Sequence, residues 1–355
     1  MDKWQVKCSH CMDLAEGEKS MSLRNFLAAA LILLLAPGLA GSAAAKGPAS
    51  GYAYYEIGDV DAPTPGRTEA GMMLHGGGDW AYDAFRWMFR KAGGGHIVVL
   101  KASYADENAQ EMFKEIGGVV SVQTITFSSR KAAFDPKVLD VVRHADGIFM
   151  GGGDQAKYIR FWKGTPLNAL LDAHVRAGKP IGGTSAGLAV LGAYSYGAMD
   201  GGSITSPVAL KDPLGPQVTL VRDFLHMPYL SNVVTDSHFK QRDRQGRLVV
   251  FVARLAHEQN NPAVTGIGVD ENTALCIDDK GVGQVFTGSN GHAWIIRPMR
   301  QADRIAVRRP LVFHDVPMVG VGPESSIDLN SFAVTRPSFQ RIGDAKDGVL
   351  TITPQ

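Results

Sequence analysis

KPIGGTSAGLAVLG, Lys179 to Gly192, is the stretch on which the fold turns: a short apolar strand, a serine between glycines and an apolar helix start follow one another without a break. Gly183 and Gly187 frame Ser185 in a G-x-S-x-G pattern, whose glycines allow the tight strand-to-helix turn that pushes a serine oxygen out of a sheet. At such a helix start the dipole's positive end and free backbone N–H groups favour negative charge. The N–H of Ala186 is therefore a candidate oxyanion donor, and that of Gly153 a second, because glycine backbone can approach a ligand closely. The pattern alone is weak, since a chain with 41 glycines produces it by chance and a serine there can simply cap a helix. No Lys-Ser/Thr pair follows any glycine run, which excludes a P-loop.

Working outward, four more apolar runs precede this one: Gly71–Gly78 (GMMLHGGG), His96–Ser103 (HIVVLKAS), Val122–Phe127 (VQTITF) and Asp146–Gly153 (DGIFMGGG). They lack polar alternation, as parallel strands buried on both faces do. Between them the spacing predicts helices over Trp80–Ala92, Asn108–Ile116, Pro136–Arg143 and Ala156–Arg176. Strand-helix-strand repeats of this kind give an α/β fold with a doubly wound, mostly parallel sheet. From Thr273 to Pro298 the runs become short and glycine-punctuated, which predicts an antiparallel C-terminal extension. In open sheets the loops leaving the C-terminal strand ends form the ligand crevice. Three glycine-rich ends, at 76–78, 151–155 and 182–187, are expected to meet there.

Thirty-six Lys and Arg balance 35 Asp and Glu, for a formal charge of +1, so no nucleic-acid partner is expected. With 45% apolar and 20% charged residues, the composition is that of a folded globular protein. Met21–Ala45 (MSLRNFLAAALILLLAPGLAGSAAA) has the basic, apolar and small-residue order of a secretory signal peptide, too short in its apolar part to span a bilayer. The expected organisation is residues 1–45 as leader and signal peptide with Met21 as the true start, 46–66 as an extended lead-in, and 67–355 as one α/β domain. A secreted or periplasmic product without stable membrane insertion follows. Cys8 and Cys11 flank His10 in the leader but make only half a zinc site, and Cys276 alone cannot form an internal disulfide.

A serine nucleophile needs an imidazole and a carboxylate to orient it. DSHFKQRDRQGRL (Asp236–Leu248) offers His238, ahead of an expected helix carrying Arg242, Arg244 and Arg247. Arginine's planar fork suits a carboxylate-bearing substrate, although a solvated helix face would look the same. GIGVDENT (Gly266–Thr273) ends a strand in Asp270 and Glu271, either of which can hold the histidine tautomer.

GGGDQ (Gly151–Gln155), GTSAG (Gly183–Gly187), DSHFKQRDRQGRL and GIGVDEN occur in the order seen in the cyanophycinase and dipeptidase E family of serine peptidases, which this chain resembles from about Gly71 to Pro298 and most on the cyanophycinase side. The resemblance implies a flavodoxin-like fold similar to the class I glutamine amidotransferase domain. It implies Ser185 as nucleophile, His238 as base and Glu271 as orienting acid, with Gly153 and Ala186 at the oxyanion. It further places Gln155, Asp236, Ser237, Arg242, Arg244 and Arg247 at the substrate pocket, Asp236 either neutralising a cation or bracing the arginines. Ser237 stands where intracellular relatives have Gln, and Leu188 where a small residue is usual; both bear on substrate choice. The implied activity is hydrolysis of β-aspartyl peptides, cyanophycin foremost, to β-Asp-Arg dipeptides through an acyl-enzyme, with no metal or organic cofactor and with a homodimer as the usual assembly. A dipeptidase for short aspartyl or isoaspartyl peptides and a catalytically silent binder of acidic peptides are the alternatives.

Overall fold

Apolar runs that cannot face water on either side stack into parallel strands, and this determines the centre of the molecule. The structure, a computed structural model, describes residues 50–103 and 108–355; the leader and signal-peptide expectations for 1–45 lie outside them. β1 (Tyr52–Gly58), β2 (Gly71–His75), β3 (His96–Lys101), β4 (Ser121–Phe127), β5 (Gly147–Met150) and β6 (Ile181–Thr184) belong to one sheet. Its order β4-β3-β5-β6-β2 is parallel throughout. Around it lie α1 (Tyr82–Lys91), α2 (Asn108–Gln110) continued by a π-helical turn to Ile116, α3 (Pro136–His144), α4 (Gln155–Trp162) and α5 (Pro166–Arg176). The expected single helix over 156–176 is two. Gly164 at φ +66 ends the first, and the Thr165 hydroxyl accepts from Asn168 N–H to cap the second, with Pro166 in its first turn.

The sheet differs from a mostly parallel one in two respects. A second, nine-stranded sheet takes up β7 (Tyr194–Tyr196), β8 (Leu220–Arg222), β9 (Val233–Asp236) and β10 (Thr265–Val269), of which β7, β9 and β10 run parallel. The remaining strands are antiparallel and divide between the sheets. β11 (Thr273–Asp278) and β12 (Val282–Thr287) form a hairpin that extends the first sheet from β2. β13 (Ala293–Ile296) joins β10 and the 13-residue β15 (Arg309–Val321) in the second, with β14 (Arg304–Ala306) off its path. β16 (Ser326–Asp328) and β17 (Ala333–Thr335) return to the first sheet, and β18 (Phe339–Lys346) and β19 (Val349–Pro354) close the second. The lead-in is also more than a lead-in, because β1 pairs antiparallel with β4 from Tyr52 to Gly58. Its side chains are largely exposed, so the strand carries no apolar run that would have marked it.

Two helices complete the frame: the short α6 (Ala186–Ala189) after Ser185, and α8 (Gln245–Gln259), preceded by α7 (Ser206–Lys211). α8 starts later than the sequence suggested, so Arg242 lies in the preceding turn and Arg244 at the N-cap, with only Arg247 inside the helix. Residues such as Leu248, Val249, Phe251 and Val252 are fully buried and pack it under the second sheet.

Candidate active site

The C-terminal ends of parallel strands from both sheets meet here. Ser185 follows β6 of the first sheet, His238 follows β9 of the second, and Glu271 lies in the connection by which the chain leaves β10 and enters β11. The glycine-flanked turn is required sterically. A Cβ on Gly187 would lie 2.1 Å from the Met150 carbonyl, so the helix start can press against β5 only without a side chain. Ser185 itself sits at φ +54, ψ −114, a conformation unfavourable for a residue with a Cβ, and its side chain makes no cap bond. The cap reading of the serine is thereby excluded.

Ser185 Oγ lies 2.7 Å from His238 Nε2, and His238 Nδ1 lies 2.6 Å from Glu271 Oε1. A carboxylate on one ring nitrogen fixes the proton there and leaves the other to accept from the hydroxyl, which is the geometry that turns an alcohol into a nucleophile. His238 is 7% exposed, and burial pulls its pKa below the ordinary histidine value; the Glu271 bond opposes this, while Arg242 and Arg244 add to it. The imidazole is therefore neutral, and able to take a proton, at ordinary pH. Of the two acids at the end of β10, Glu271 holds the histidine. Asp270, 1% exposed, instead accepts from the backbone of Lys240 and His292 and from the Trp294 indole.

Ala186 occupies the first helical position, where a backbone N–H has no partner within the helix. Gly153 lies in the facing loop at φ +130, where a Cβ would clash with Ser103. Gly152, in the same loop, faces the serine: a Cβ there would be 3.5 Å from Ser185 Cβ. Gln155 is half-buried at the start of α4.

The arginines separate into different environments. Arg247 is 1% and Asp236 2% exposed, and they form a two-pronged pair, Nε to Oδ2 at 2.7 Å and a terminal nitrogen to Oδ1 at 2.5 Å. The other terminal nitrogen of Arg247 donates to Ser203 Oγ and the Ile204 carbonyl. Every side-chain nitrogen of Arg247 is bonded internally, so the pair braces the turn, which for Asp236 is the second of the two roles expected of it. Ser237, also buried, donates its N–H to Asp236 and accepts at its carbonyl from Arg244 at 2.8 Å. Burial lowers the Arg244 pKa to about 10, which leaves it charged. Arg242 is the exposed member, its Nε 3.8 Å from Glu271 Oε1. Among the described residues no cluster of three or more His, Cys, Asp or Glu could hold a metal, and no helix is long and apolar enough to cross a membrane.

Sequence reasoning missed the residues that align these parts. Gln241 accepts from the Glu271 N–H at 3.0 Å, and Asn272 Oδ1 accepts from Asp79 N–H at 2.7 Å. The loop after β2, read only as a glycine-rich strand end, carries more weight. Its successive carbonyls at His75, Gly76 and Gly77 accept the backbone N–H groups of Ser185 (3.2 Å), His238 (2.7 Å) and Asn272 (2.7 Å). The available signal was a histidine inside an otherwise apolar run.

Comparison with known proteins follows the same residues. The sequence profile of peptidase family S51 matches residues 100–285, which contain Ser185, His238 and Glu271. The cyanophycinase of Trichormus variabilis is 26% identical over 268 residues, covering 71% of this chain and 83% of that protein. The cyanophycinase of Synechococcus elongatus is 33% identical over 189 residues, covering 53% and 52%. A crystal structure of a peptidase from an acI-B1 actinobacterium superposes with a TM-score of 0.46 at 18% identity, covering 64% of this chain and 91% of that one. The chain belongs to peptidase family S51, the family of the cyanophycinases and peptidase E, and is a serine peptidase.

Proposed function

We propose that the protein is a secreted exopeptidase that hydrolyses β-aspartyl peptides, cyanophycin foremost, to β-Asp-Arg dipeptides. The observation that carries the mechanism is the continuous chain Ser185 Oγ–His238 Nε2–Glu271 at 2.7 and 2.6 Å, with the serine in a strained turn at a helix start. His238 takes the hydroxyl proton as Ser185 Oγ attacks the peptide carbonyl, and Glu271 stabilises the imidazolium that forms. The N–H of Ala186 and of the 152–153 loop receive the developing oxyanion. The imidazolium then gives its proton to the leaving amine, and water, deprotonated by the same base, releases the acyl-enzyme. Arg242, exposed beside Glu271, is the arginine available to a substrate carboxylate, and Arg244 supports the turn behind it. The parallel order β4-β3-β5-β6-β2 with its flanking helices supports a flavodoxin-like, glutamine amidotransferase-like winding for the first sheet.

The test is incubation of the mature protein with insoluble cyanophycin and mass analysis of what dissolves. Release of β-Asp-Arg, abolished in Ser185→Ala, is the expected result. Cleavage of short aspartyl or isoaspartyl dipeptides without attack on the polymer would move the assignment to a dipeptidase, and full activity of the Ala variant would remove the serine mechanism.

A further inference from the structure

The loop after β2 holds the backbones of Ser185, His238 and Asn272 on three consecutive carbonyls, all three of those residues at positive φ. Something must hold the loop itself, because Gly76 to Gly78 have no side chains to pack. A side chain that hydrogen-bonds the loop's own backbone is that of His75, fully buried at the end of β2. Its Nδ1 accepts the Gly77 N–H at 3.1 Å and lies 2.8 Å from the hydroxyl of Thr184, the residue before Ser185. A peptide N–H can only donate, so Nδ1 carries no proton and the Thr184 hydroxyl donates to it as well. The ring's proton then sits on Nε2, which is buried and makes no hydrogen bond of ordinary geometry among the described residues, the Asp79 carbonyl being only a weak partner. A buried donor so weakly matched is a standing loss of stability, and a leucine or phenylalanine in this apolar strand would avoid it. Burial, reinforced by the neighbouring His238, holds the His75 pKa at about 4, so this ring is neutral at ordinary pH.

We propose that His75 is a positioning residue for the hydrolysis: through Nδ1 it locks Gly77 to Thr184 and so fixes the two ends of the frame on which Ser185 and His238 meet. The inference rests on the serine mechanism proposed above. Nδ1 acts as a bare acceptor, so asparagine, whose Oδ1 can take the same place, is the conservative substitute, and leucine is the blank of similar bulk.

The test compares His75→Leu, His75→Asn, Thr184→Val and Ser185→Ala in their rate of labelling by a fluorophosphonate, with melting temperature measured alongside. His75→Leu is expected to label about 10²-fold more slowly than the parent, the loss typical of an angstrom-scale misplacement of reacting groups, and His75→Asn to recover to within about tenfold. Thr184→Val is expected to lose roughly three- to tenfold. Labelling of His75→Leu at the parental rate, or equal losses in the Leu and Asn variants, would overturn the proposal. Should His75→Leu fail to fold, Thr184→Val decides, and a parental rate there overturns it. Labelling that persists in Ser185→Ala, or is absent from the parent, would instead refute the serine mechanism, so the two failures are distinguishable.

Discussion

A single methyl group at Gly77 should disable the enzyme without touching any residue that does chemistry. Gly77 lies at φ +99, and a Cβ built there would be 2.3 Å from His238 Cε1, 2.5 Å from Nε2 and 2.9 Å from Nδ1. Carbon atoms rest at about 3.5–4.0 Å, so the imidazole has to retreat by at least roughly 1.2 Å or the loop has to move by as much. The ring cannot yield freely: its Nδ1 is held by Glu271 at 2.6 Å and its backbone N–H by the Gly76 carbonyl at 2.7 Å. Displacement of that size breaks the 2.7 Å contact with Ser185 Oγ, and misplacement near 1 Å removes about 10² in rate, or about 2.7 kcal/mol of transition-state stabilisation. Backbone strain at the same position adds about 1–3 kcal/mol of lost stability. The assay is Gly77→Ala labelled with a fluorophosphonate well below its melting temperature, so that only folded molecules are read. A labelling rate within about threefold of the parent would refute the claim that Gly77 is glycine to make room for the catalytic imidazole.

Two further outcomes follow from the site. The His238 pKa is depressed mainly by burial, and the base must be neutral to act, so fluorophosphonate labelling should stay full as pH falls through the ordinary histidine value of about 6.5 and decline only below it; a midpoint at or above that value would contradict the burial argument. Replacing Asp236 with Asn leaves the 1%-exposed Arg247 charged and uncompensated, which should lower unfolding stability by about 3–5 kcal/mol in chemical denaturation, whereas Arg242→Ala, at the exposed member of the cluster, should change it by less than about 1 kcal/mol. Equal effects would mean that the arginines are not divided as described.

The readable parts of the fold were those in which a strand is buried on both faces. Ile97–Leu100, Gly147–Met150 and Ile181–Gly183 are runs without a polar side chain, and their burial follows from composition. β1 and the strands after Arg304 were not readable, since an edge or half-exposed strand has no such signature and its pairing is chosen by a partner far away in sequence. Gly164 and Pro166 did announce a helix break, but the apolar spacing on either side runs through them. The arginines show the same limit: three residues within six positions look equivalent on paper, yet one is internal, one half-buried and one in solvent, because the helix begins at Gln245 and not before.

Alone, the sequence determined the chemistry on offer: a serine in a glycine-framed turn, a histidine and an acid each at the end of an apolar run, and the family to which such pieces belong. Local rules suffice for that, because turn geometry and strand burial are set by neighbours along the chain. The resemblance already pointed to Glu271, and the structure puts it on the histidine; only the tertiary structure decided which arginine faces outward, and that the carbonyls of His75, Gly76 and Gly77 hold the parts in line. Those choices depend on two sheets meeting at their strand ends, where residues adjacent in sequence, such as Asp270 and Glu271, enter different hydrogen-bond networks.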